Sequence, residues 1–353
     1  MGITRVLIVD DSSFVRKALR RIFEADPDTE VAGTAESGRE ALEMLRELAP
    51  DVVTLDIMMP GMDGLETLKA IMETRPTPVL MLSQLTKQDA DYTLRALELG
   101  ALDFVDKSAT GMMDFFDLAG EITSKVKSIT GAKPIFANNG SSGPAGPHSS
   151  SNAVDIVAVG ASTGGPQALQ MLLPQFPADI SFALLIVQHM PRGFTGPLAK
   201  RLDTFCGIQV REAEDGEEIE AGTALIAPAG LHMIIEDRRA APEDGRDPDG
   251  RKRLGKIKLF SGSPENMHVP SVDLLFESVA GNARDRAIGV LLTGMGSDGA
   301  FGLRSIRDKG GLTIAQDKGT SAIFGMPRVA IERDAAEMVL PITAIAGEVL
   351  KRA

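Results

Sequence analysis

Short aliphatic runs along this chain alternate with segments whose apolar positions recur every three or four residues. The first half reads "RVLIVD", "SSFVRKALRRIFEA", "TEVAGTA", "SGREALEMLREL", "DVVTLD", "GLETLKAIMET", "TPVLMLS", "DADYTLRALELG", "DFVDK" and "MMDFFDLAGEITSKVKSI". Five strand and helix pairs in alternation predict a parallel sheet covered by helices on both faces. In such a sheet the functional side chains gather at the carboxyl ends of the strands.

The second half opens with the same alternation: "DIVAVG", "PQALQMLL", "SFALLIVQH", "TGPLAKRLDTF". A β-rich insert is expected next, formed by "GTALIAP", "LHMIIED" and "KIKLFSG" around a charged loop at 237–256. That loop reads as a solvated hairpin tip. The α/β pattern then resumes with "PSVDLLFESVA", "AIGVLLTG", "GAFGLRSIRDKG" and "LTIAQD". Between the halves, residues 131–152 ("GAKPIFANNGSSGPAGPHSSSN") are dominated by Gly, Pro, Ser and Asn and read as a flexible linker. The expectation is an α/β chain of two doubly wound parallel-sheet domains, 1–130 and 153–353, joined by that linker. A length of 353 residues and a hydrophobic content of 43% suffice for two cores.

Charge narrows the function classes. A net charge of −12 opposes general nucleic-acid binding, which needs a basic face. Cys206 is the only cysteine, so an internal disulfide and a thiolate metal cluster are both excluded. The N-terminus lacks the pattern of a secretory leader, and no run of about 18 apolar residues occurs, so a cytoplasmic protein without membrane insertion is expected.

In the first domain Asp10 and Asp11 follow the first strand, Asp56 ends the third, Ser83 ends the fourth and Lys107 follows the fifth. Three carboxylates converging on one crevice need a hard cation, and Mg²⁺ suits oxygen ligands while keeping coordination positions open. Asp56 would be the nucleophile toward a phosphoryl group. Asp11, with Asp10 behind it, would hold the metal, Lys107 would balance phosphoryl charge, and Ser83 would bond the phosphorylated state. The alternative is that Asp10 and Asp11 only cap the following helix.

In the second domain "GASTG", Gly160 to Gly164, fits the G-x-S-x-G turn that lifts a serine between strand and helix. A dinucleotide site would need a glycine at Ser162 and an acidic residue where Gln188 and His189 end the next strand, so that reading fails. A nucleophilic Ser162 needs a base and an orienting acid. His148 lies in the linker, and His232 and His268 flank or enter the insert, which leaves His189. Asp298, in the glycine-rich turn after "GVLLTG", completes a triad. The plainer readings are a turn serine, a strand-end histidine bonded to backbone, and an aspartate capping "GAFGLRSI". The order Ser, His, Asp differs from that of α/β-hydrolases.

Two resemblances enter on these residues. "VLIVDDSSFVRKAL", "DVVTLDIMMPGMDGLETL" and "ALDFVDK" resemble the receiver domain of two-component response regulators. That likeness implies a flavodoxin-like domain phosphorylated on Asp56 by a chemotaxis histidine kinase, with Mg²⁺ on Asp11, Asp56 and the Met58 carbonyl. The sequence departs from the family in having Ser83 where Thr is frequent and Ser108 where Pro commonly follows the lysine. "VGASTGGPQAL", "VQHMP", "HVPSVDLLF" and "LLTGMGSDGA" resemble the Rossmann-like catalytic domain of the CheB family of chemotaxis methylesterases. This implies hydrolysis of glutamate γ-methyl esters, and deamidation of glutamines, on chemoreceptor cytoplasmic domains, with no cofactor for the ester reaction. It also implies an oxyanion site at the Met295 N–H, beside the Thr163 N–H that follows the nucleophile, and inhibition by the receiver that phosphorylation relieves. A DNA-binding output would need a basic recognition helix, and an inactive adaptor would lack a triad member.

Overall fold

The fully apolar runs of the sequence become the central strands of two parallel sheets. The computed structural model describes residues 2–83, 87–107, 118–132, 154–236, 254–262 and 268–352, and the chain divides into two units, Met1–Ala137 and Asn138–Ala353.

The first unit runs β1 (Thr4–Val9), α1 (Ser13–Ala25), β2 (Thr29–Ala35), α2 (Gly38–Leu48), β3 (Val52–Asp56), α3 (Gly64–Thr74), β4 (Val79–Ser83), α4 (Lys87–Glu98), β5 (Asp103–Asp106) and α5 (Ala119–Ile129). Its sheet is parallel in the order β2-β1-β3-β4-β5, which is doubly wound. Every residue of β3 and β4 is buried, as strands covered on both faces require. Helix starts are set by side chains: Ser12 caps α1, Ser37 caps α2, and Asp63 with Glu66 forms a reciprocal box at α3. The last predicted helix begins at Met112 in the sequence reading, a part that lies outside the described residues.

The second unit holds β6 (Ile156–Ala161), α6 (Gly165–Leu172), β7 (Ala183–Gln188), α7 (Thr195–Asp203), β8 (Gln209–Glu212), β9 (Thr223–Ile226), β10 (His232–Glu236) and β11 (Lys256–Phe260). It continues with α8 (Val272–Ala283), β12 (Ala287–Leu291), α9 (Ala300–Asp308), β13 (Leu312–Gln316), α10 (Met326–Glu332), β14 (Met338–Leu340) and α11 (Ile342–Leu350). The order β14-β13-β12-β6-β7-β9-β8 is parallel throughout. The chain winds from β6 outward to one side and later from β12 to the other, so the switch point lies between β6 and β12. Leu275, Phe276, Val279 and Ala283 of α8 belong to the core cluster that also contains Ile156 and Ala158 of β6 and Leu291 of β12.

One expectation is corrected. "GTALIAP" is not part of a β-rich insert: its strand, β9, pairs with β7 in the main sheet, and only β10 and β11 form a separate antiparallel pair. All four residues of β9 are buried, which an insert hairpin with one solvated face would not allow. Most of the charged loop and of the linker lies outside the described residues. Among the described residues no helix is long and apolar enough to cross a membrane.

Gly64 shows how the first fold positions Asp56. A Cβ on Gly64 would lie 2.2 Å from the Asp56 carbonyl oxygen and 2.7 Å from the Ile57 Cα, so the loop folds back over the strand end only with glycine there. Gly61 has open space but a φ of 81°. We expect Gly64→Ala to destabilise the first unit by about 1–3 kcal/mol through overpacking, and Gly61→Ala by about 1 kcal/mol through backbone strain alone. Urea denaturation of both variants checks the ranking, and an equal or reversed order would contradict the steric account.

Candidate active site and acidic pocket

At the carboxyl end of the first sheet Lys107 is shared between two buried carboxylates. Its Nζ lies 2.9 Å from Asp10 Oδ2 and 2.8 Å from Asp56 Oδ2. Asp10 Oδ1 also accepts the Ser12 N–H at 2.9 Å, and Asp56 Oδ1 accepts the Met58 N–H at 3.4 Å. Since Ser12 is the cap of α1, neither aspartate fills the capping role that the sequence left open. Burial pushes the Asp56 carboxyl up to about 6, against the pull of Lys107 and with repulsion from Asp10. Carboxylate oxygens of Asp10, Asp11 and Asp56 lie within 4.8 Å of one another, an all-oxygen set that fits a hard divalent cation. Asp11 is the exposed member. Ser83 is buried on the neighbouring strand, its Oγ 2.7 Å from Thr93 Oγ1 of α4, and its carbonyl accepts the Lys107 N–H at 2.6 Å.

In the second sheet β6 and β7 pair Ala161 with Gln188, so Ser162 and His189 leave adjacent strands at the same level. The His189 N–H donates to the Ala161 carbonyl at 3.0 Å, and the Ser162 N–H to the Thr293 carbonyl at 3.0 Å. Gly164, with φ at 77°, turns the chain into α6, where Pro166 sits in the first turn. The Asp298 carboxylate arrives from the turn after β12, and its Oδ2 lies 2.8 Å from His189 Nε2. Asp298 does not cap α9, whose N-cap is Gly299 without a side-chain bond. It sits instead at the N-terminus of α8. Oδ2 accepts the Val272 N–H at 2.8 Å, and Oδ1 accepts the Asp273 N–H at 3.0 Å and the Ser271 hydroxyl at 3.1 Å. Burial works against the charge, yet His189 and these helix N–H groups hold the carboxyl well below the usual carboxylate range.

The turn from β12 passes directly beside the serine. A Cβ on Gly294 would meet the Ser162 Cβ at 2.7 Å and Met326 Sδ at 2.3 Å, so the next residue, Met295, is held at the serine turn. Thr163 is buried, and its carbonyl accepts the Thr293 hydroxyl at 3.0 Å. Met295 is exposed.

A family model described as CheB methylesterase matches residues 157–349, and one described as response regulator receiver domain matches residues 6–112. The chain belongs to the CheB methylesterase family. It is similar to two proteins named protein-glutamate methylesterase/protein-glutamine glutaminase. The one from Symbiobacterium thermophilum is 42% identical over 98% of this chain and 96% of its own length. The one from Archaeoglobus fulgidus is 43% identical over 98% and 97%. It is also similar to the crystal structure of the Thermotoga maritima CheB methylesterase catalytic domain, at 36% identity and a TM-score of 0.51 over 57% of this chain and 100% of that one.

Three residues of this CheB-family site were missed in the sequence. Gln188 is buried, and its Nε2 donates to the carbonyls of both Ser162 and His189 at 2.9 Å, tying the two turns together. An amide closing the apolar run "FALLIV" was the available signal. Ser271 bonds Asp298 while capping α8. The sequence places His268 at the insert, yet its ring stacks on His189 at 4.5 Å between centroids and 17° between planes. His232 is a buried structural group: Nδ1 accepts the Ser271 N–H at 3.2 Å, and burial lowers its pKa. Beside Asp298 opens a groove of about 740 Å³ lined by Phe260, His268, Ser271, Leu274 and Glu277.

The raised Asp56 carboxyl sets a pH dependence. A folded-state value of about 6, above the unfolded one, means that the folded chain holds the proton more tightly. Stability therefore falls as pH rises from about 4 to about 6 and stays reduced above that window. A divalent cation on the ionised trio offsets the loss only where Asp56 is charged. We expect Mg²⁺ to raise the melting temperature of the receiver unit at about pH 7.5 and to lose that effect by about pH 5. Calorimetry at both pH values checks this, and an equal shift at both would contradict cation binding at Asp56.

Proposed function

We propose that this chain hydrolyses glutamate γ-methyl esters on chemoreceptor cytoplasmic domains, releasing methanol, and deamidates receptor glutamines, under control of phosphorylation at Asp56. The observation that carries the reading is the His189–Asp298 pair, whose carboxylate is buried at a helix N-terminus and whose histidine leaves its strand at the level of Ser162. The likeness to proteins named protein-glutamate methylesterase/protein-glutamine glutaminase supports the substrate class.

In this reading Ser162 Oγ attacks the side-chain carbonyl carbon. With Nε2 of His189 engaged by Asp298, the nitrogen left for the serine proton is Nδ1. The imidazolium then forms against a carboxylate that is already ionised and hydrogen-bonded, so no reorganisation is needed as charge develops. The N–H groups of Thr163 and Met295 stabilise the tetrahedral oxyanion. His189 gives that proton to the departing methoxide, which leaves as methanol, or to the amide nitrogen of a glutamine, which leaves as ammonia. Water, deprotonated by the same imidazole, attacks the acyl-serine and frees the glutamate carboxylate and Ser162.

The receiver part takes its phosphoryl group on Asp56 from a chemotaxis histidine kinase. Asp10, Asp11, Asp56 and the Met58 carbonyl would hold Mg²⁺, which supplies positive charge against the incoming phosphoryl oxygens. Lys107, already between Asp10 and Asp56, adds a second cation, and Ser83 turns from Thr93 to the phosphoryl oxygen. The setting for both activities is the cytoplasm.

Methanol release from methylated receptor membranes, with and without a small phosphodonor, tests chemistry and control together. Ser162→Ala should keep the fold and lose ~10⁴-fold or more in rate, with His189→Gln and Asp298→Asn also severe, because triad members act nearly as a unit. Asp56→Asn should keep the basal rate and ignore the phosphodonor. Near wild-type turnover by a folded Ser162→Ala chain would overturn the nucleophile assignment. A fragment starting at Asn152 that is no faster than the unphosphorylated full chain would mean that phosphorylation stimulates rather than relieves inhibition.

A further inference from the structure

Among the described residues, hydrogen bonds hold the His189 backbone at both its N–H and its carbonyl, the latter from Gln188 Nε2. The backbone N–H is held by Ala161, and one ring atom, Nε2, is held by Asp298. A single hydrogen bond does not set the plane of an imidazole, because the torsion between Cβ and the ring is broad. Rotation about the Cβ–Cγ bond redirects Nδ1 while displacing Nε2 less, so the Asp298 bond alone leaves the direction of Nδ1 loosely set. Contact with the ring face is a further constraint.

His268 supplies that contact. Its ring lies parallel to His189 within 17° at a centroid separation of 4.5 Å, a stacked pair. The contact comes from the same short segment that grips the aspartate, since Ser271, Val272 and Asp273 bond both Asp298 oxygens. The lead-in to α8 thus holds the base by its face and the acid by its carboxylate. Partial enclosure, together with the charge that His189 can carry, lowers the His268 pKa, so the stacking partner stays neutral near pH 7. A neutral aromatic face is compatible with an imidazolium beside it, whereas a second cation would oppose proton uptake.

We propose that His268 is a positioning residue for His189, fixing the imidazole plane so that Nδ1 faces Ser162 while Nε2 stays on Asp298. The inference rests on the hydrolase reading above. It differs from a substrate-binding role for His268, which the neighbouring groove would otherwise invite.

The test uses the full-length chain with saturating phosphodonor and compares His268→Ala, His268→Phe and His268→Gln, with Ser162→Ala as control. Two readouts are taken: kcat and KM for methanol release from methylated receptor membranes, and the rate at which a small sulfonyl fluoride labels Ser162. Melting temperatures confirm that each variant is folded. Misorientation of a base costs about tenfold to hundredfold, so His268→Ala and His268→Gln should lower kcat and the labelling rate by at least about tenfold with KM little changed. His268→Phe keeps a planar ring and should restore both rates to within about threefold of wild type. Unchanged kcat and labelling in His268→Ala would overturn the proposal. So would rescue by Gln rather than Phe, which points to a hydrogen-bonding role, or a rise in KM alone, which points to substrate contact. If Ser162→Ala itself retains activity and labelling, the underlying hydrolase reading fails instead, and the two failures are told apart.

Discussion

The carboxylate of Asp298 is buried where the chain leaves β12, and it keeps its charge because the first N–H groups of α8 point at it. An isolated buried carboxylate costs several kcal/mol and would take up a proton. Here one ring nitrogen, two backbone N–H groups and a serine hydroxyl surround it. That arrangement requires β12 to end, α8 to begin and β7 to deliver His189 at one place. The shape of the whole carboxyl edge of the sheet follows from it, including the glycine at 294 that lets the turn pass Ser162.

The receiver pocket solves the same electrostatic problem differently. Asp10 and Asp56 share one ammonium group, and Asp56 remains under-compensated, which is why its proton affinity is raised while that of Asp298 is lowered. A carboxylate that gains from a further cation is suited to accept one. A carboxylate already saturated with donors is suited to stay as it is. The two sites thus divide into one built to change state and one built to hold still.

The alternation of strands and helices was legible because buried parallel strands such as β3, β6 and β7 are continuous apolar runs with no solvated face to interrupt them. Short edge strands were not. β8 reads "QVRE" and leaves Gln209 exposed, so nothing in its composition separates it from a loop. β9 was recognised as a strand and assigned to the wrong sheet, because the partner of a strand is decided by tertiary packing. Ser162, His189 and Asp298 were accessible through the rule that side chains at strand ends converge. His268 was not, since it lies on a connection between β11 and α8 and meets His189 only through the path of that connection. Gln188 bonds only the backbone carbonyls of the two turns, and Ser271 reaches Asp298 across 27 positions of sequence, so their partners are set by the fold and not by local pattern.

The order of the second sheet also has a consequence for synthesis. β6, the strand leading to Ser162, is flanked by β7 on one side and by β12 on the other, with Ile156 paired to Ala183 and to Ala287. On the ribosome the first neighbour is made soon and the second only much later, after α7, β8 to β11 and α8 have emerged. Through that interval one edge of a wholly apolar strand waits for its partner, and the serine and histidine exist without Asp298. A nascent or truncated chain that ends before β12 therefore lacks the assembled carboxyl edge of the sheet.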